Sequence, residues 1–264
     1  MGDLGVADGT ISIVIPVLNE AENISPLLRS FDALVKEGGL DQLREIIFVD
    51  DGSSDGTVPH IKQEVELHPY NIRILERNKK LGTVNATIAG CKLAESDSVV
   101  VMDGDMQHPP KVVLEMAQKL KDGHDFIIAS RHTIGGRNLW NSLRGLVSRV
   151  AIFIAYILVP QARHIRDPTS GFFLVDRKAI SGLPPLPGRA KLLLYFLSSS
   201  SNSSPLEIPY TLVERRSGKS KVVGRSPSFV IKYLIEVIGY MRNSYRMRIL
   251  PDDSAIPVRT DLHE

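Results

Sequence analysis

The chain follows a repeating hydrophobic rhythm. Five short stretches are apolar and β-branched with few interruptions: "TISIVIPVLN" (10–19), "REIIFVDDGS" (44–53), "NIRILER" (71–77), "SVVVMDGD" (98–105) and "DFIIASR" (125–131). Between them, apolar positions recur every three or four residues. That spacing predicts helices over 20–36, 55–67, 83–94 and 109–121. Strands that are apolar on both faces, each handed on to a helix, predict a largely parallel sheet covered on both sides. The expected fold class is therefore α/β, a mostly parallel sheet flanked by helices.

Beyond Gly135 the rhythm changes. "GGRNLWNSLRGLVSRVAIFIAYILV" reads as a loop and a long helix, and "DPTSGFFLVDR" as a turn and a strand. "PLEIPYTLVERRSGKSK" reads as a strand leading into a basic loop. The serine run at 198–204 reads as a flexible surface loop. In "SFVIKYLIEVIGYMRN" the polar positions Lys232, Glu236, Gly239 and Asn243 form one helical stripe on an otherwise apolar helix. Such a helix either packs in a core or lies in a membrane interface. The expected division is a catalytic domain over 1–225, an amphipathic helix over 226–243 and a polar, mobile tail over 244–264.

Composition narrows this picture. An apolar share of 43% supports a substantial core, and 264 residues suit one large domain or one domain with an appendage. Acids and bases nearly cancel at a formal +2, so general nucleic-acid binding is not expected. Cys91 is the single cysteine, which favours a reducing compartment. "MGDLGVADGT" has no basic region before an apolar stretch, so no secretory signal is expected. The run from Val150 to Ala162 is too short for a transmembrane helix.

In an open parallel sheet, ligands bind at the carboxyl ends of the strands. Three of the apolar runs end there in polar residues. The first ends in Pro16, Asn19 and Glu20, the second in Asp50, Asp51 and Gly52, the fourth in Asp103 and Asp105. Carboxylates gathered on one edge repel unless a cation or a donor-rich ligand sits among them. Asp103, Asp105 and Gln107 offer hard oxygen ligands suited to Mg²⁺ or Mn²⁺. His108 is followed by two prolines and is assigned a turn, with no catalytic part. Trp140 is expected to pack. The glycine-rich patterns of dinucleotide enzymes and P-loop proteins are absent, which leaves a metal-bridged diphosphate as the route to a nucleotide. Arg131, Arg144, Arg149, Arg215, Arg216, Lys219 and Lys221 supply cations for phosphate oxygens.

Taken in order, "IVIPVLNEAENI", "IIFVDDGSSDGT", "VVVMDGDMQHPP", "DPTSGFFLVDR" and "EIPYTLVERRSGKSK" resemble the family 2 glycosyltransferases of GT-A fold. Within that family the chain is similar to the dolichol-phosphate (polyprenol-phosphate) mannosyltransferases, over roughly 11–241. The resemblance implies a GT-A sheet with C-terminal amphipathic helices. It implies inverting transfer of mannose from GDP-mannose to a dolichyl or polyprenyl phosphate. By similarity Pro16, Leu18 and Glu20 would line the nucleotide pocket, and Val49 and Asp51 would flank the base. Asp103, Gly104, Asp105 and Gln107 would hold ribose, metal and diphosphate. Arg131, Arg215 and Lys221 would bind phosphates, making these three and Asp105 the expected catalytic set. Arg144 and Arg149 are further candidates for the acceptor phosphate.

The chemistry is coherent with these residues. A lipid phosphate is already an anion near neutral pH and can attack an anomeric carbon without a general base. An enzyme acting on a sugar hydroxyl needs a carboxylate base instead, and Asp167 would be the candidate. Tyr195 stands where relatives often carry an acid. The expected setting is peripheral, at the cytoplasmic face of a membrane. Contact would come through the helix from Phe229 to Met241, the "AIFIAYILV" segment or a separate membrane-anchoring subunit. Two alternatives stay open: a UDP-glucose or UDP-N-acetylglucosamine donor on the same fold, and a non-catalytic nucleotide-sugar-binding subunit.

Overall fold

The apolar runs pair as the sequence predicts. β1 (Ile11–Val17), β2 (Leu43–Asp50), β3 (Asn71–Glu76) and β4 (Ser98–Val101) lie parallel in the order β3-β2-β1-β4. Helices α1 (Ala21–Lys36), α2 (Thr57–Glu64), α3 (Thr83–Leu93) and α4 (Pro110–Lys121) connect or follow them. The computed structural model describes residues 9–77, 79–138, 142–185, 191–199 and 204–213, with positions 235, 238 and 239. The expected helix over 226–243 and the tail over 244–264 otherwise lie outside the described residues. So do Trp140, Arg215, Arg216, Lys219 and Lys221.

The second half completes the sheet. It contains β5 (Ile127–Ser130), β6 (Arg137–Asn138), α5 (Ser142–Leu158), a 3-10 turn (Pro160–His164), β7 (Phe173–Asp176), α6 (Arg177–Ser181), α7 (Leu192–Ser199), β8 (Leu206–Pro209) and β9 (Thr211–Leu212). β7 inserts antiparallel between β4 and β5, and β8 closes the far edge parallel to β5. Strand direction here is a long-range property that the local pattern does not carry. α7 is an unassigned helix in the sequence reading, and its last two residues, Ser198 and Ser199, open the serine run. Their hydroxyls donate to the Tyr195 carbonyl at 2.8 and 3.0 Å and help to end the helix.

Side chains alternate between two cores. Ile13, Ile15, Phe48 and Val100 pack with Leu27, Phe31 and Met116, whereas Val14, Val49, Val99 and Val101 pack with Ile88, Cys91, Ala155 and Leu193. The Cys91 thiol is fully buried, and burial pushes its pKa up to about 12, so it is inert. The amino-terminal edge of the sheet is closed by its own charges. Buried Glu45 accepts from Ser12 Oγ at 2.7 Å, from Arg73 at 3.0 Å and from the Glu95 amide at 2.8 Å. The carboxyl-terminal edge is where polar groups gather without such closure. Among the described residues, no helix is long and apolar enough to cross a membrane.

Candidate active site

The strand order reverses between β1 and β4, which opens a crevice at their carboxyl ends. On the β1 side the chain turns at Asn19, with φ +52°, a left-handed conformation that a short amide tolerates. Asn19 N–H donates to Ser53 Oγ, and Ser54 N–H donates to Asn19 Oδ1, both at 2.8 Å. The loops after β1 and β2 are therefore one unit. Glu20 is buried and accepts from Asn23 Nδ2 at 2.8 Å. Pro16 is in register with Val49, and Leu18 is half-buried beside the turn. Val49 itself faces the core, since a methyl added to Gly90 would lie 2.8 Å from its Cγ2. Only the Val49 backbone borders the crevice.

Asp51 accepts from the backbone N–H groups of Leu81 and Gly82 at 3.0 and 2.9 Å, with Arg77 at 3.2 Å. It fixes the loop before α3 as well as the strand end. Asp50 Oδ2 accepts from the Gly52 and Ser53 amides, while its Oδ1 is buried without a partner among the described residues. An orphaned carboxylate oxygen is costly to bury.

On the β4 side, buried Met102 is followed by the acidic turn. Gly104 packs on β1, where an added Cβ would lie 3.1 Å from Val17 Cγ1. The Asp103 side chain is 50% exposed, and Asp105 Oδ1 accepts from the Gln107 amide at 3.1 Å. Met106 has φ +65°, backbone strain of the kind that collects at functional sites. Gln107 Nε2 donates to the Val213 carbonyl at 3.0 Å, and Val213 N–H returns a bond to the Gln107 carbonyl at 3.4 Å. The amide nitrogen is so used, which turns the Gln107 oxygen away from Val213. Two carboxylates and one amide oxygen within a single turn fit a hard divalent cation whose other ligands are phosphate oxygens and water. Among the described residues no three His, Cys, Asp or Glu side chains form a self-contained cage. A cation here would be shared with its ligand.

Beneath this turn lies a charged pair that the sequence reading does not join. Arg131 is buried, and its Nε and Nη2 donate to the two oxygens of Asp167 at 2.7 Å each. The Arg131 N–H adds a third bond at 3.0 Å, and Nη2 also reaches Thr169 Oγ1 at 3.2 Å. Burial alone would raise the Asp167 pKa, but the hydrogen bonds and charge of Arg131 outweigh it and hold it lowered. Arg131 is thus a preorganised cation beside the crevice. Arg149 is exposed on α5, and Arg144 lies on the same helix with its side chain outside the described set.

Three further residues belong to the site. His108 is 4% exposed and stacks on Phe172, with ring centroids 4.8 Å apart, while Tyr210 meets it edge-on at 5.8 Å. Burial, helped by Arg131 and Lys191 and partly opposed by Asp105 and Asp167, pushes the His108 pKa down to about 4. The ring is neutral at physiological pH. Burial likewise raises the Tyr210 phenol above its usual range. Lys191 precedes α7, exposed on the wall of the site yet deep enough that desolvation and Arg131 lower its pKa against Asp103 and Asp167. The signal in the sequence is its position as the lone charge of "AKLLLYFL". Tyr195, by contrast, is fully buried and donates to the Pro184 carbonyl at 3.1 Å, a packing role.

This architecture matches known proteins. The family model for glycosyl transferase family 2 matches residues 12–183. A protein of Pyrococcus furiosus named dolichol-phosphate mannosyltransferase is 34% identical over 238 residues, 90% of this chain. This chain spans 63% of that protein's length. A dolichol-phosphate mannosyltransferase of Saccharomyces cerevisiae is 31% identical over 84% of each chain. Among solved structures, glucosyl-3-phosphoglycerate synthase of Mycobacterium tuberculosis, crystallised with Mn²⁺, UDP and glucosyl-3-phosphoglycerate, has a TM-score of 0.62 at 22% identity. The alignment covers 92% of this chain and 81% of that one. That likeness establishes the fold as GT-A. With the sheet, the crevice and the matched family model in agreement, the chain belongs to glycosyl transferase family 2.

Proposed function

We propose that this chain transfers mannose from GDP-mannose to a dolichyl or polyprenyl phosphate, with inversion and with Mg²⁺ or Mn²⁺. The observation that carries this reading is the state of Asp167. A hydroxyl acceptor needs a carboxylate base, and Asp167 is the candidate that the sequence offers. Its side chain is 0% exposed, and both of its oxygens accept from Arg131. It is in no position to take a proton from a substrate. A phosphate acceptor needs no such base. The names of the relatives support the same acceptor class.

The geometry around the acidic turn supports the following parts in this reading. Pro16, Leu18, Glu20 and Asp51, with the Val49 backbone, border the nucleotide. Asp103, Asp105 and Gln107 would hold the cation, and Gly104 would let the ribose come close to the turn. When bound, the cation would neutralise charge developing on the leaving diphosphate. Arg131 holds phosphate in line, joined by Arg215 and Lys221, which follow Val213 closely in the sequence. An acceptor phosphate oxygen attacks the anomeric carbon as the bond to GDP breaks, and GDP departs with the electron pair. The test is conversion of labelled GDP-mannose, with Mn²⁺ and a polyprenyl phosphate, into a lipid-soluble product. Conversion of UDP-glucose or UDP-N-acetylglucosamine instead would reassign the donor. No turnover with any of them, but ligand-dependent thermal stabilisation, would mark a binding subunit.

The membrane face has its own support. On α5, Ile152, Ala155 and Val159 are buried, while Val150, Phe153 and Ile157 are 39%, 64% and 56% exposed along another face. α5 carries no acid; Arg149 is exposed on it, and Arg163 and Arg166 follow it closely. An apolar row edged by cations suits an anionic lipid surface at the cytoplasmic face. Phe153→Ser combined with Ile157→Ser should weaken sedimentation with phosphatidylcholine–phosphatidylserine vesicles by about tenfold or more. Undiminished binding would assign the contact to another segment or to an anchoring subunit.

A further inference from the structure

The segment between the 3-10 turn and β7 belongs to no strand, yet it carries Asp167, the partner of Arg131. The amides of Arg166 and Asp167 therefore need acceptors from outside a sheet ladder. Glu207 supplies both. Its Oε2 accepts from the Arg166 N–H at 2.9 Å, and its Oε1 from the Asp167 N–H at 3.0 Å. Successive N–H groups turned toward one anion form a backbone cradle for it. Glu207 reaches them because of its place on β8. Its neighbours Leu206 and Ile208 pack into one core, so the half-buried Glu207 points to the opposite face of the sheet. The far end of the segment is held too. Ser170 N–H donates to the Asp167 carbonyl at 3.2 Å, and Ser170 Oγ donates to the Ala129 carbonyl at 2.8 Å. Between these two holds, the Asp167 carboxylate takes both Nε and Nη2 of Arg131. A guanidinium fork meets a carboxylate in one plane, so the direction of the fork follows that of Asp167.

We propose that Glu207 is a positioning residue for phosphate binding: its carboxylate fixes the Arg166–Asp167 backbone, which fixes the Asp167 side chain, which sets the direction of the Arg131 guanidinium. It rests on the reading of Arg131 as a phosphate ligand. Glu207 touches neither substrate nor cation in this scheme. The position calls for a carboxylate. Glutamine has the same shape but a single acceptor oxygen, and its NH₂ would face a backbone N–H. One donor then loses its partner, and the segment must shift to satisfy it. A displacement of about 1 Å at a group that aligns a reactant can slow a reaction about 100-fold.

Glu207→Gln should slow transfer from GDP-mannose to polyprenyl phosphate about 10–100-fold, at a temperature where a thermal melt shows the variant fully folded. In an Arg131→Lys background the same substitution should change the residual turnover by less than about twofold, since the fork that it orients is gone. Undiminished turnover in Glu207→Gln overturns the proposal, as does an equal loss in both backgrounds. Two further measurements do not depend on turnover. Nitrogen-15 spectra should show the Arg131 Nε–H as a slowly exchanging signal, and its exchange should quicken about tenfold or more in Glu207→Gln. An unchanged signal overturns the proposal. The other measurement needs no variant: the Arg166 and Asp167 amides of the unaltered protein should exchange about 100-fold more slowly than unbonded loop amides, and exchange at loop rates overturns the proposal. If the unaltered protein transfers no sugar from any donor, the transferase reading falls, and the Arg131 and amide signals still decide whether Glu207 sets the guanidinium. If it transfers and Glu207→Gln transfers equally well, only this proposal falls.

Discussion

Asp105→Asn is expected to abolish mannosyl transfer and, with it, metal-dependent binding of GDP-mannose. The substitution keeps Oδ1, which accepts from the Gln107 amide, so the turn itself survives. What it removes is one of the two negative charges that the proposed divalent cation would face. A cation that stabilises a departing diphosphate is worth several kcal/mol in the transition state, so losing it should slow transfer by about a thousandfold or more. The melting temperature should barely move, because a surface turn that keeps its hydrogen bond costs the fold little. Asp105→Ala also loses the turn bond, at about 1 kcal/mol, and should be equally inactive. Three measurements decide the matter: turnover, Mn²⁺-dependent nucleotide binding and a thermal melt. Full turnover in Asp105→Asn, or in excess chelator, would remove the acidic turn from the mechanism.

The strands and helices from 11 to 130 are legible because each carries its own period and ends in its own polar signal. The acidic turn is legible for the same reason, since Asp103, Asp105 and Gln107 lie within five residues. Where the sequence is silent, the missing information is spatial. Arg131 and Asp167 are thirty-six residues apart, and nothing local joins them. α7 is apolar on every side, so "LLLYFL" has no stripe to betray a helix. The antiparallel direction of β7 depends on where its neighbours lie. His108 is the instructive case. Its two prolines correctly announce a turn, yet its bond to Asp103 and its stack on Phe172 depend on β7 and β8 arriving beside β4 and β5.

The Arg131–Asp167 pair gives the second large effect, and it discriminates between acceptor chemistries. Asp167→Asn leaves a buried guanidinium without its counter-charge. Breaking a buried pair in this way costs about 3–5 kcal/mol. For a chain of this size that lowers the melting temperature by on the order of 10 °C. The pH dependence follows from the same pair. The folded carboxyl of Asp167 is held below its ordinary value of 3.8. Its stabilisation is therefore complete above that value and drains away as the pH falls through the lower, folded one. The variant should lose this part of the acid limb of the stability curve. Arg131→Met combined with Asp167→Leu should recover much of the lost stability, because a well-packed apolar pair commonly replaces a buried ion pair without loss. It should not recover transfer, since the cation beside the phosphate site is gone. If Asp167 were instead a general base for a hydroxyl acceptor, the loss of stability would be the same, because the buried pair is broken either way. The Arg131→Met, Asp167→Leu protein would still fail, but the residual turnover of Asp167→Asn at a temperature where it is fully folded would have lost the acidic limb of the pH–rate profile. That outcome would move the acceptor from a phosphate to a hydroxyl and transfer Asp167 from the scaffold to the chemistry.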